Sequence, residues 1–469
     1  MPLKIHLIVK RILAMLLPVI LGPVNAAADR NSEVLASMQG NWHIEGYNYI
    51  LSISEKQWVQ YALTSISCKA IAKGQGSLPF DVTDHREATK RMLSEGISRY
   101  QAVRVPFPAR CSDDKLMSSN DVLYNFDVFW SYFYENYANF EVHNINWLSV
   151  RDNYRKTIER TPTAHTLWQS VSEIIRDFGD AHVSVLDAEH KPMRSAEGGQ
   201  GSSLFSKLID TYGERLDPKR NSIEAIYLSY KNRVYETTLE KKLSDTWRIG
   251  NDQIWGGRLS ESVAYVAIHY MYGFVEGEAK GHVPDIIADS AALEFALNLM
   301  MEKIQPFETL IIDVRMNPGG RDKLALAIAN RFAKTKTLAF SKKAKFGDDF
   351  TASQNIYVHP AEGKKFSGDV VLLTSERTGS AAEIFTLAMR TMKHVRVMGS
   401  KTAGGLSDAH TFVLPNSWRL SLSNEVYTAA DGVCYEGLGI PPSHYLNSFS
   451  GPNLEESFIS VIDQVLDLL

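Results

Sequence analysis

The chain has 469 residues, 44% of them hydrophobic and 22% charged, which excludes collagen-like, disordered, coiled-coil and multispanning membrane proteins. That length corresponds to about three domains, and it can bury a core without metal or disulfide staples. Fifty basic side chains stand against 54 acidic ones, for a net charge of −4, so no nucleic-acid partner is expected.

Taken in chain order, residues 1–26 come first. Lys4, Lys10 and Arg11 precede an apolar run from Ile12 to Val24 that Pro18, Gly22 and Pro23 interrupt. The run is too short and broken for a good spanning helix. Val24-Asn25-Ala26 offers small residues for cleavage, so the segment reads as a secretory signal, with an uncleaved anchor as the alternative. Losing its three positive charges takes the net charge from −4 to −7. No stable membrane span is then expected, and the protein would be exported, to a periplasm or outside the cell. Export permits disulfides. Of the three cysteines, Cys68 and Cys111 could pair, and Cys434 would be left as an inert thiol. None has metal-ligand spacing, and neither a metal nor a cofactor is implied.

Residues 30–112 read as a β-rich module, because 47–53 and 58–63 alternate at period two. Residues 117–182 change to helical spacing, with Val122, Phe126, Phe129, Trp130 and Phe133 as one stripe and Leu167, Val171, Ile174 and Ile175 as another. Thr161-Pro162-Thr163 suits a helix start. Residues 183–254 read as a connecting segment, with an exposed polar, glycine-rich loop at 188–203. Residues 255–445 alternate strands and helices and predict an α/β domain. The strands fall at 264–268, 309–314 and 370–374, and the helices at 285–303, 322–334 and 380–393. A last amphipathic helix is expected within 446–469.

Chemistry concentrates in four places. Ser380, in Thr378-Gly379-Ser380-Ala381-Ala382-Glu383, falls where a buried strand gives way to a helix. A serine there either caps the helix or presents its hydroxyl beside a free N–H, as in a nucleophile elbow. The glycines of Asp313-Val314-Arg315-Met316-Asn317-Pro318-Gly319-Gly320 permit close backbone approach to a ligand, or simply a tight turn. His182, in Asp177-Phe178-Gly179-Asp180-Ala181-His182, offers the base an unactivated serine needs. Glu436, in Tyr435-Glu436-Gly437-Leu438-Gly439-Ile440-Pro441-Pro442, could orient a histidine, or be solvated.

Together and in this order, the motifs resemble the tail-specific or C-terminal processing proteases, in the branch with the tricorn core and the interphotoreceptor retinoid-binding protein. The resemblance covers about residues 120–445 and rests on F-G-D-A-H at 178–182, I-I-D-V-R-M-N-P-G-G at 311–320, T-G-S-A-A-E at 378–383, G-S-K-T-A-G-G at 399–405 and E-G-L-G-I-P-P at 436–442. It implies a serine peptidase with a crotonase- or ClpP-like α/β core. In that reading Ser380 is the nucleophile, His182 the general base and Glu436 the carboxylate that polarises it. The N–H groups of Ala381 and of Gly319 or Gly320 form the oxyanion hole. The implied partner is a peptide or unfolded-protein substrate.

Two departures stand out. The Ser–Lys branch carries its lysine at the position matching Gly405, while Lys401 matches a different one. Ala181 stands where the tricorn pattern has a relaying serine, so a direct Glu436–His182 contact or a bridging water would have to substitute. No PDZ pattern is found between 183 and 260. A non-catalytic apolar-ligand-binding protein and an esterase using the same triad are the rival readings. Walker A, H-E-x-x-H and G-x-G-x-x-G patterns are absent.

Overall fold

The computed structural model describes residues 36–76, 78–84, 89–113, 118–176, 178–189, 192–195, 202–212, 223–279 and 283–469. The signal segment expected at 1–26, Asp177 and most of the loop expected at 188–203 lie outside them. No helix among the described residues is long and apolar enough to cross a membrane.

The N-terminal module is one antiparallel sheet of seven strands: β1 (Gly40–Ile44), β2 (Tyr49–Ile53), β3 (Trp58–Leu63), β4 (Cys68–Gly74), β5 (Asp81–Asp84), β6 (Lys90–Glu95) and β7 (Ser98–Arg104). Their order is β4-β3-β2-β1-β7-β6-β5. Strand β3 buries every second residue, as its period-two pattern requires. Trp42, Leu51, Trp58 and Leu93 fill the module's own core. Cys68 and Cys111 form a disulfide that ties the end of the module back to β4.

Three helices follow, α1 (Val122–Asn136), α2 (Trp147–Arg160) and α3 (Ala164–Arg176). Asp121 and Asn146 cap the first two by accepting backbone N–H groups. Thr163 accepts the Thr166 N–H at 3.1 Å where the third begins. The aromatic stripe of α1 is core: Phe133, with Tyr137 and Trp147 beyond the helix, packs on Phe178, and Phe129 packs on Phe133 and Trp147. The helical segment ends at Arg176, so His182 stands in the turn before β8 (Ser184–Leu186), not on a helix. The loop expected at 188–203 is broken by β9 (Pro192–Ser195), which pairs with β8, and by the start of α4 (Ser202–Tyr212).

The α/β core begins earlier than residue 255. Helix α5 (Ile223–Lys242) leads into β10 (Ser244–Ile249), β11 (Ile254–Arg258) and β12 (Val263–Ile268). Then come α6 (Ile286–Ile304), β13 (Thr309–Asp313), α7 (Asp322–Asn330), β14 (Thr337–Phe346), β15 (Asp349–Phe350), β16 (Gln354–Val358), β17 (Asp369–Thr374), α8 (Ala381–Met389), β18 (Val395–Gly399), β19 (Ala409–Val413), β20 (Arg419–Ser423), β21 (Glu425–Ala429), β22 (His444–Tyr445) and α9 (Leu454–Leu466). The central sheet runs β10-β11-β12-β13-β17-β18-β22, parallel from β12 onward. Alternate residues of its strands point into two separate cores. Ile312, Val370 and Leu372 pack under α6, α7 and α8, while Ile311, Val371 and Leu373 pack under α5 and α9. Both faces being covered explains the unbroken apolar runs at 310–312 and 370–373. A second sheet of β14, β15, β16 and β21, and a third of β19, β20, β8 and β9, complete the fold.

The loops that carry the motifs, 314–320, 375–380 and 400–407, all leave the carboxyl ends of neighbouring parallel strands. In open α/β sheets that edge is where ligands bind.

Candidate active site

The two central loops are laced together before any side chain enters. Thr378 Oγ1 donates to the Val314 carbonyl at 2.8 Å, the Gly379 N–H to the Asn317 carbonyl at 3.1 Å, and the Ser375 hydroxyl to the Arg315 carbonyl. Beneath them Arg315, fully buried, pairs with Asp313 at 2.6 Å and reaches the Phe458 carbonyl.

Ser380 stands immediately before α8 with φ 51° and ψ −127°. A residue with a Cβ rarely adopts that backbone, and it marks a sharp turn between the strand-end loop and the helix. Its N–H is held by the Glu383 carboxylate and the Gly405 carbonyl, both at 3.1 Å. The Ala381 N–H, first in the helix, has no partner among the described residues. Gly319 packs directly on this turn: a Cβ there would lie 2.7 Å from Ser380 Cβ and 2.9 Å from Ala381 N, and its φ is 109°. Only glycine fits. Its N–H, however, is engaged by Asn317 Oδ1 at 2.9 Å. Of the two expected oxyanion donors, Gly320 alone keeps its N–H unpartnered among the described residues.

His182 is held by its backbone. Its N–H donates to Asp180 Oδ1 at 2.8 Å, and its carbonyl accepts the Ser421 hydroxyl at 2.7 Å. Phe178 and Val183, on either side, are anchored in the aromatic core. A Cβ on Gly405 would lie 3.7 Å from His182 Cε1. The imidazole therefore lies beside the glycine whose carbonyl holds Ser380. Lys401 is exposed. No hydrogen bond joins His182 to Ser380 or to Glu436, and His182 Nδ1 is buried without a partner.

Of the two arrangements expected for Glu436, a direct hydrogen bond to His182 or a bridging water, the direct bond is not formed. Its Oε2 accepts the N–H groups of Leu406 and Ser407 at 2.8 and 3.0 Å, so it fixes the segment that follows Gly405. Burial and the neighbouring Asp180 charge push its carboxyl well above the usual range. Ser380 and His182 thus both adjoin Gly405, and Glu436 holds the two residues after it.

Two further carboxylates belong to the site. Asp180 is buried, and besides the His182 N–H it accepts the Tyr137 and Ser423 hydroxyls. Glu383 accepts Thr402 Oγ1 and the N–H groups of Gly404, Gly405 and Ser380, and burial raises its carboxyl to about 7. Both lie inside the quoted motifs. The Ser380-x-x-Glu383 spacing is a capping-box signature that points to Glu383, whereas only burial reveals Asp180.

Residues 262–446 match the model of peptidase family S41, and residues 118–175 match the Tricorn protease C1 domain. A CtpA-like serine protease of Staphylococcus haemolyticus is 30% identical over 155 residues, 33% of this chain and 30% of that protein. Another from Staphylococcus aureus is 32% identical over 134 residues, 28% of this chain and 26% of that protein. The chain thus spans less than a third of the length of the curated relatives it matches. Two solved structures share its fold. A peptidase from Parabacteroides merdae superposes with a TM-score of 0.57 at 22% identity, over 75% of this chain and 97% of its own. Mature CPAF superposes with a TM-score of 0.53 at 11% identity, over 74% and 96%. Over residues 262–446 the chain is thus similar to peptidase family S41, and over 118–175 to the tricorn C1 domain.

Proposed function

We propose that this chain is an exported serine peptidase that hydrolyses peptide bonds through an acyl-enzyme on Ser380. The observation that carries this reading is the Gly405 junction, where the strained serine and the imidazole of His182 share one glycine. In the mechanism His182 removes the proton from Ser380 Oγ as that oxygen attacks a peptide carbonyl. The oxyanion is met by the N–H groups of Ala381 and Gly320. His182 returns the proton to the leaving amine, and water repeats the sequence on the ester. Glu436 contributes by fixing residues 406–407, the segment that follows Gly405. The substrate is a peptide or an unfolded protein.

The Cys68–Cys111 bridge supports an oxidising compartment, in line with the signal reading of residues 1–26.

A fluorophosphonate probe should label the protein at Ser380, and Ser380→Ala should neither label nor cleave an unfolded protein. His182→Ala should lose about 10²–10⁴ in kcat/KM, while Lys401→Ala retains activity. Peptide cleavage by Ser380→Ala would overturn the assignment. Loss confined to Lys401→Ala would move the base from the histidine to a lysine.

A further inference from the structure

Behind the His182 turn, three side chains from three distant segments face one another. One ligand-capable atom each from His143, Asp180 and Glu436 lies within 4.8 Å of the other two. Asp180 and Glu436 are each 2% exposed. Asp180 Oδ1 accepts from His182 N and Ser423, and Oδ2 from Tyr137. Glu436 Oε2 accepts two backbone N–H groups, but Oε1 is buried without a partner. His143 Nε2 is likewise buried without a partner. Among the described residues no lysine or arginine pairs with either carboxylate.

Two adjoining carboxyl groups taken out of water need a proton or a positive counterpart, since buried charges are neutralised, paired or coordinated to a metal. One imidazole nitrogen and two carboxylate oxygens are a donor set for zinc or a similar transition ion. Magnesium and calcium favour oxygen alone. We propose that His143, Asp180 and Glu436 bind one divalent transition-metal ion, zinc fitting best. Three protein donors leave a further position for water.

The site adjoins the machinery proposed above. Asp180 holds the His182 backbone, and Glu436 holds the strip after Gly405. An ion drawn onto these two carboxylates pulls on the His182 turn and on the strip after Gly405, so zinc slows turnover. This coupling, unlike the binding itself, rests on the peptidase reading.

The test uses the full chain carrying Ser380→Ala, stripped with a chelator and titrated with Zn²⁺ against a chromophoric competitor. One ion per chain should bind with a micromolar or tighter Kd, and Co²⁺ should give a visible absorption band. Adding His143→Ala should weaken binding by at least the roughly 10–100-fold that even outer-shell changes cost, with an unchanged thermal transition. Glu436→Gln should also weaken it, which guards against a folding defect in either variant alone. Absence of binding, or binding indifferent to His143, overturns the site; two carboxylates sharing a proton would give the first result. In otherwise wild-type protein, His143→Ala should keep chelator-treated turnover and lose inhibition by zinc. Zinc bound through His143 without slower turnover overturns the coupling. A protein inactive in chelator overturns the peptidase reading and leaves the site standing, because binding is read without turnover.

Discussion

Ser380 shows what a single residue contributes to the site. Its φ of 51° and ψ of −127° cost an L-residue about 1–3 kcal/mol. The surrounding bonds from Glu383 and Gly405, with Gly319 pressed against its Cβ, hold it there. If that strain presents a nucleophile, removing it should separate stability from activity. Ser380→Gly should abolish fluorophosphonate labelling and raise unfolding stability by about 1 kcal/mol, read by urea denaturation. Ser380→Ala, which keeps the Cβ, should gain nothing. A glycine variant less stable than wild type would mean that the backbone is not strained. The residue types of the site were legible because a strand-glycine-helix junction exposes them in order. Asp180 was not, because an acid in a polar turn looks solvated until Tyr137 and Ser423 are found closing over it.

At the level of elements, α8 depends on a buried acid at its third position. Four donors converge on Glu383, yet burial outweighs them and its carboxyl rises to about 7. A raised acid binds its proton more tightly in the native state, so its contribution is greatest below about 4.5 and fades as pH climbs through about 7. Glu383→Gln offers one acceptor oxygen to four donors and should cost about 1–3 kcal/mol. The gap between wild type and variant should narrow from pH 5 to 7.5 in parallel urea titrations, and a widening gap would reverse the sign argued here. Such local chemistry is readable from Ser380-x-x-Glu383 alone. The strand at Trp58–Leu63 was equally readable, since alternate burial imposes alternate hydrophobicity. The sheet of β8, β9, β19 and β20 was not. Its strands are three to five residues long and pair segments more than 200 residues apart, so tertiary contact rather than local pattern selects them.

Across the whole molecule, the N-terminal module, the helical layer and the third sheet meet on one imidazole. His410, on β19, has its Nδ1 2.6 Å from the Tyr132 hydroxyl of α1 and its Nε2 2.7 Å from the Tyr47 carbonyl. A carbonyl only accepts, so Nε2 carries the proton and Nδ1 is the acceptor. The ring of Tyr49 stacks on it at 4.7 Å. Composition could suggest three domains; nothing in the spacing of 13 histidines could say which one joins them. Burial lowers the basicity of His410 to about 4, so the native state excludes a second proton. The contribution of this joint is complete above pH 6.5 and is lost as pH falls through about 4, by up to about 3 kcal/mol. It runs opposite to that of Glu383, so the intact protein partly hides both, and only the variant isolates the histidine. His410→Gln should therefore destabilise the protein at pH 7 and lose most of that penalty by pH 4, read as the wild-type-minus-variant difference in urea unfolding at pH 7, 5.5 and 4. Detachment of the N-terminal module would appear in the same acid range as faster proteolysis between residues 105 and 121 in wild type. A difference that stays constant with pH would show that the joint holds by shape alone and that protonation of His410 has no part in keeping the modules together.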